Sequence, residues 1–159
     1  MGMIAGLLAL IVLGFGLYVR FAPSEAARWH QPLPTDAVAL EDCLMSIQQG
    51  RGDARAACLV PGETTEVLMA LDTIAVTSPR TKRLAGSWAD GRITWITRSA
   101  LWGFPDYTTA QVTAGPDGKT RLDIHARLRF GESDLGVNAA RLVNWLTRLK
   151  ADLPAAANP

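Results

Sequence analysis

The sequence predicts an α+β fold: an N-terminal single transmembrane helix, then a four-stranded, mainly antiparallel sheet with helices packed on one face. Met1–Val19 contains no charged side chain. Two later segments have apolar residues at helical spacing, and between them lie four strand-like segments separated by Gly-, Pro- and Asp-rich turns. We therefore expect a transmembrane anchor at 1–20, a connector at 21–60, an α+β domain at 61–153 and a flexible tail at 154–159.

The N-terminal segment is long enough to cross a membrane. At about 1.5 Å of rise per residue, the run before Arg20 forms a helix of roughly 28 Å, close to the thickness of the hydrocarbon core. A signal peptide carries basic residues before its apolar core and a small-residue cleavage site after it. No Lys or Arg precedes Arg20, and Ser24-Glu25-Ala26 is a poor site. We therefore expect an uncleaved, single-pass anchor.

Two features bear on the side of the membrane that the domain occupies. Arg20 and Arg28 follow the apolar segment and no basic residue precedes it, which favours a cytoplasmic domain and leaves a periplasmic one open. Cys43 and Cys58 would form a disulfide in an oxidising compartment. Two unpaired, buried thiols are the alternative. The sequence leaves both readings of the cysteines open.

The helices and the connector follow from caps and breakers. Pro34 stops any earlier helix, and Thr35 or Asp36 caps a short helix expected to reach Ile47. Gly50–Arg55 is expected to be a loop. Apolar spacing predicts further helices at Thr64 to about Val76 and at Asn138 to about Leu153, with Asn138 as cap.

Four strands are predicted between those two helices. Asp90-Gly91 and the Gly115–Gly118 segment are turn signals that join them in pairs. The predicted strands are Thr81–Trp88, Arg92–Ser99, Tyr107–Ala114 and Lys119–Phe130. The last strand alternates regularly between apolar and polar residues, which predicts one buried face and one solvated face.

Composition and motifs argue against several function classes. The net charge of +1 gives no electrostatic indication of nucleic-acid binding. His30 and His125 lie in different segments without ligand spacing, and the two cysteines form no CxxC pair. No phosphate-binding loop, dinucleotide fingerprint or nucleophile elbow is present. We therefore expect neither a catalytic site nor a bound metal or cofactor.

Two groups of residues are candidates for interaction. Trp102, Phe104 and Tyr107 surround Gly103 in a loop that either docks on a partner, lipid or small apolar ligand, or folds back on the core. The solvated face of the last strand is basic and either meets anionic headgroups or is simply hydrated. Its basic residues are Arg121, His125, Arg127 and Arg129, with Arg92 on a neighbouring strand.

A constrained turn leads into the last helix. Gly131 and Gly136 bracket Ser133 and Asp134 in what we expect to be a structural turn, in which Asp134 could pair with an arginine. The candidates for that pairing are Arg98, Arg127 and Arg141. An anion site at the helix start is the alternative, and the nearby carboxylates make it less attractive.

These stretches resemble the DUF1499 family over about residues 60–150. The resemblance is carried by two groups of residues, Arg98, Ser99, Gly103, Phe104, Pro105 and Asp106, and then Ser133, Asp134, Gly136, Asn138 and Arg141. The connector resembles that of membrane-anchored alphaproteobacterial members, which implies a bacterial inner membrane. Many members carry an Asn-Cys-Val-Ser stretch where this chain has Asp42-Cys43-Leu44-Met45-Ser46. The family is one of unknown function, so the resemblance implies a fold and no reaction.

We therefore expect a non-enzymatic accessory or assembly subunit of an integral membrane protein complex, respiratory or photosynthetic complexes being candidates. The anchor, with Gly2, Gly6 and Gly14 on one helix face, favours this hypothesis. The alternative is a membrane-tethered module that binds a lipid or a small apolar ligand.

Overall fold

The computed structural model describes residues 2–153, and the tail predicted at 154–159 lies outside them. The helices are α1 (Gly2–Phe21), α2 (Ala26–Trp29), α3 (Thr64–Thr77) and α4 (Val137–Asp152). The strands are β1 (Gln48–Gln49), β2 (Asp53–Val60), β3 (Thr81–Ser87), β4 (Arg92–Arg98), β5 (Pro105–Ala114) and β6 (Thr120–Leu128). The α+β class is confirmed.

The described strands form one antiparallel sheet in the order β1-β2-β6-β5-β4-β3. It has six strands, so the prediction of four was wrong. The missed β2 falls in the expected connector and loop, and it pairs with β6 from Asp53 opposite Arg127 to Val60 opposite Thr120. The buried positions of β2 are occupied mainly by alanines, which have a weak preference for strands. The sequence of β2 alone therefore does not indicate a strand. Pairing with β6 makes it a strand.

The short helix expected between Thr35 and Ile47 does not form. The Asp42 carboxylate accepts hydrogen bonds from the backbone N–H groups of Leu44 and Met45, which stabilises a turn. Leu40 forms a bridge to β2, and a disulfide joins Cys43 to Cys58 on that strand. The bridge and the disulfide hold residues 40–43 against the edge of the sheet.

The apolar core lies between α3, α4 and one face of the sheet. The predicted buried side of β6 is confirmed: Leu122, Ile124 and Ala126 are almost completely inaccessible. Trp95 of β4 packs edge-on against Trp145 of α4, with ring centroids 5.6 Å apart. The sheet therefore has one dry face, as expected for helices packed on one side.

Helix α1 is long and apolar enough to cross a membrane. Nearly all of its side chains are exposed in the isolated chain, and its buried residue is Val19, close to the C-terminal end. That end lies against the folded domain.

Candidate functional site

The polar face of the sheet is covered, not solvated as expected. Residues 22–47 cross it as a strap (the connector strap). The indole of Trp29 stacks on Tyr107 with centroids 3.8 Å apart, and Arg127 donates a 2.8 Å hydrogen bond to the Trp29 carbonyl. Arg129 donates to the Pro23 carbonyl at 2.7 Å. Three candidate interaction residues, Tyr107, Arg127 and Arg129, therefore hold the connector strap.

A groove of about 530 Å³ remains between the connector strap and strands β2 and β6. Its walls are mostly apolar, and the polar residues that also line it are Asp36, Ser46, Gln48, Arg55, Asp123 and His125. The apolar lining residues are Leu33, Pro34, Ala37, Val38, Leu40, Met45, Ala56, Ala57 and Ile124. At its rim, Val38 and Met45 are 81% and 79% exposed, which is unusual for large apolar side chains placed together. The size and lining are typical of a small-molecule pocket.

Three polar side chains meet on the sheet side of this groove. Oδ2 of Asp53 lies 2.9 Å from Nε2 of His125, and Nε of Arg55 lies 3.2 Å from each of those two atoms. The carboxylate selects the tautomer that carries its proton on Nε2, and Arg55 then donates to Asp53. Nδ1 of His125 has no hydrogen-bond partner within residues 2–153.

The imidazole of His125 is neutral at physiological pH. Its pKa is lowered from 6.5 to about 4, chiefly by burial and also by the charges of Arg55 and Arg127, while Asp53 opposes the shift. In a neutral ring the unprotonated Nδ1 keeps its lone pair and can accept a hydrogen bond from a ligand. His125 can therefore orient a ligand that carries an N–H or O–H group.

A second polar pair closes the groove beside this cluster. Arg121 donates through Nε and Nη2 to the two oxygens of Asp123, each at 2.8 Å, and Nη2 also donates to the Ala37 carbonyl. The buried Asp123 carboxylate is thus satisfied within the chain. Across residues 2–153 no group of three or more His, Cys, Asp or Glu side chains could hold a metal ion.

The aromatic loop predicted as an interaction site lies against α1. The ring of Phe104 is 6.3 Å from that of Phe15, and a Cβ added at Gly16 would lie 3.2 Å from the Trp102 ring. The loop is closed by Arg98, which donates to the Gly103 carbonyl at 2.9 Å. Loop and groove are therefore separate features.

The motif residues that carry the family resemblance form one network between β5 and α4. Arg141 pairs with Asp106 at 3.0 Å and also bonds Asn138. Burial raises the pKa of Asp106, while Arg141 opposes the shift. These residues join the end of one strand to the start of the last helix.

The candidate ion pair of Asp134 is replaced by a helix cap. Its carboxylate accepts the backbone N–H groups of Gly136 at 3.0 Å and Asn138 at 2.8 Å. Asn138 lies inside α4, so its predicted role as cap was wrong; the N-cap residue is Gly136, and the Asp134 side chain two residues earlier accepts the free N–H groups at the helix start. Ser133 supports the turn through the Leu135 N–H.

Sequence reasoning missed Asp53, Arg55 and Ala57 of β2, of which Arg55 and Ala57 line the groove and Asp53 contacts His125 beside it. They lie opposite Arg127, His125 and Asp123 of β6. That register is a long-range property, and the chain carries no local signal for it. The regular alternation of β6 was the one indication that a further strand should pair with it.

Comparisons with known proteins bear on the family to which the chain belongs. No curated protein matches the chain. A solved structure from Nitrosospira multiformis is 11% identical with a TM-score of 0.45, covering 65% of this chain and 97% of that one. Protein Ms6760 from Mycobacterium smegmatis is 12% identical with a TM-score of 0.39, covering 70% and 98%. The family model for "Protein of unknown function (DUF1499)" matches residues 35–149. The chain therefore belongs to the DUF1499 family.

Proposed function

We propose that this protein is a membrane-anchored module that holds a small, largely apolar ligand in the groove under the connector strap. The groove itself carries the proposal: about 530 Å³ of space with mostly apolar walls and a few polar groups on one side. Nδ1 of His125 offers a hydrogen-bond acceptor to a ligand with one donor group. The ligand class is thus an apolar molecule with a hydroxyl or amide end.

Binding without chemistry fits the polar groups of the groove better than catalysis does. Asp53 accepts hydrogen bonds from Arg55 and His125, and Asp123 accepts from Arg121. Arg55 and Asp123, two of the three charged residues that line the groove, therefore already have partners within the chain, whereas Asp36 forms no hydrogen bond or ion pair with a described residue. We propose that the module is not an enzyme.

We place the module at the bacterial inner membrane with α1 as a retained anchor. Arg20 and Arg28 favour a cytoplasmic domain under the positive-inside rule. The Cys43–Cys58 disulfide favours an oxidising compartment, and we give it more weight because the charge bias is only two residues. The proposal is a periplasmic domain, and a reporter enzyme fused to the C-terminus tests it.

Extraction of the purified full-length protein tests the ligand proposal. Ala57 shares the groove face of β2, and Ala57→Phe fills the space without touching the helix-side core. Organic extracts of the wild type should contain one molecule in stoichiometric amount that is missing from Ala57→Phe. Ala89→Phe, the same change in an exposed turn, is the control and should keep it. An identical extract from Ala57→Phe would contradict the proposal.

The accessory-subunit hypothesis is a second proposal, and the exposure of nearly all of α1 favours it. A Cβ added at Gly2, Gly6 or Gly14 would lie more than 4 Å from other atoms of residues 2–153, apart from the helix's own backbone and chain neighbours, which leaves room for another membrane helix. Affinity purification from native membranes in mild detergent tests it. A stoichiometric set of membrane subunits would support it, and a solitary monomer would refute it.

A further inference from the structure

The C-terminal third of α1 is packed against the domain through aromatic side chains. Tyr18 lies 6.1 Å from Phe130 between ring centroids, and Phe104 lies 6.1 Å from Phe130 and 6.3 Å from Phe15. Val19 is fully buried in the same contact. The position of α1 therefore sets the position of this end of the domain.

The length of α1 fixes how deep these aromatic residues lie. All of its 20 residues are needed to cross a hydrocarbon core of about 30 Å. Phe15 lies six residues before Phe21, so its depth is about 9 Å inside the polar boundary. The loop that contacts it carries Leu101, 82% exposed, and Trp102, 43% exposed. The loop that carries those side chains therefore reaches from the membrane interface into the outer part of the hydrocarbon core.

A basic cavity of about 390 Å³ opens beside this loop. Four cationic side chains line it, namely Arg20, Arg80, Lys82 and Arg98, and no carboxylate does. None of the four forms an ion pair with a described residue. Arg98 donates one hydrogen bond to the Gly103 carbonyl, and Arg80 donates one to the Arg98 carbonyl. Most of the positive charge in this cavity is therefore available to an anion.

We propose that this cavity binds the phosphate of an anionic phospholipid whose acyl chains lie beside α1. Guanidinium groups match phosphate oxygens in charge and geometry. Arg20 stands at the end of the apolar helix, so the cavity lies at the level of the lipid headgroups. A bound phosphate also relieves the repulsion among four like charges. The site rests on the anchor of the proposed function and is separate from the groove.

Native mass spectrometry of the full-length protein with added lipid tests this site. The wild type should bind phosphatidylglycerol in preference to phosphatidylcholine. The double variant Arg20→Gln/Lys82→Gln should lose roughly thirtyfold in phosphatidylglycerol affinity, since each basic side chain that lines the cavity and faces the phosphate contributes about a factor of five. Lys82→Gln alone, at an exposed position, should lose about fivefold and covers the case in which the double variant misfolds.

Two controls separate this site from other sources of affinity. Arg28→Gln removes an exposed cation just after α1 but outside the cavity, and it should bind phosphatidylglycerol as the wild type does. Ala57→Phe blocks the groove and should also leave this binding unchanged. Equal binding of the two lipids, equal loss in Arg28→Gln, or displacement of the lipid by inorganic phosphate alone would each overturn the proposal.

Discussion

Replacing His125 with glutamine should remove a defined part of the acid sensitivity of this protein. In the folded chain the pKa of His125 is about 4, and in the unfolded chain it returns to 6.5. The unfolded state therefore takes up the proton first as the pH falls, and the folded state loses stability between about pH 6.5 and 4. Integrated from pH 8 to pH 5, the loss is about 2 kcal/mol.

Urea unfolding of the full-length protein in detergent micelles measures this loss. Trp95 and Trp145 are buried, so tryptophan fluorescence reports the unfolding of the core. Between pH 8 and pH 5 the wild type should lose about 2 kcal/mol more than His125→Gln. His30→Gln removes the other histidine and serves as the control. It should still show the loss of unfolding free energy that comes from His125. An equal loss in wild type and His125→Gln would refute the reasoning, because it would show that His125 is as easily protonated in the folded state.

Three further changes test the rest of the fold. Arg141→Met leaves the buried Asp106 carboxylate without its partner and should cost about 3 kcal/mol of unfolding free energy; adding Asp106→Asn should recover most of it. Replacing both Cys43 and Cys58 with serine opens a loop of sequence separation 15 and should cost about 3 kcal/mol in urea unfolding. Trp29→Ala removes the ring stacked on β5, should cost about 3 kcal/mol and should expose the connector strap to limited proteolysis; an unchanged cleavage pattern would contradict its role.

The elements of the fold that could be predicted are those marked by the residue pattern of their own segment. Helices α3 and α4 and strands β3 to β6 lie within two residues of their predicted bounds, because periodicity and Asp-Gly turns mark them locally. Strand β2 was not predictable in this way. Its inward residues Ala54, Ala56 and Cys58 are small, and its outward residues include two charges. Its strand character comes from β6, which is distant in sequence.

The candidate groove was missed for the same reason. It exists because the connector strap returns over the polar face of β6, and hydrogen bonds such as that from Arg127 to the Trp29 carbonyl join residues 98 positions apart. Sequence alternation showed that Arg127 and His125 share a face. It carried no information about what covers that face, and hydration was the simplest expectation.

The most direct test of the central claim is the mass of the intact full-length protein released gently from detergent micelles. A ligand in the groove predicts one adduct per chain that differs in mass from any bound phospholipid, present in the wild type and in Ala89→Phe and missing from Ala57→Phe. The presence of that same adduct in all three proteins, or its absence from the wild type, would contradict the assignment of the groove as a ligand site.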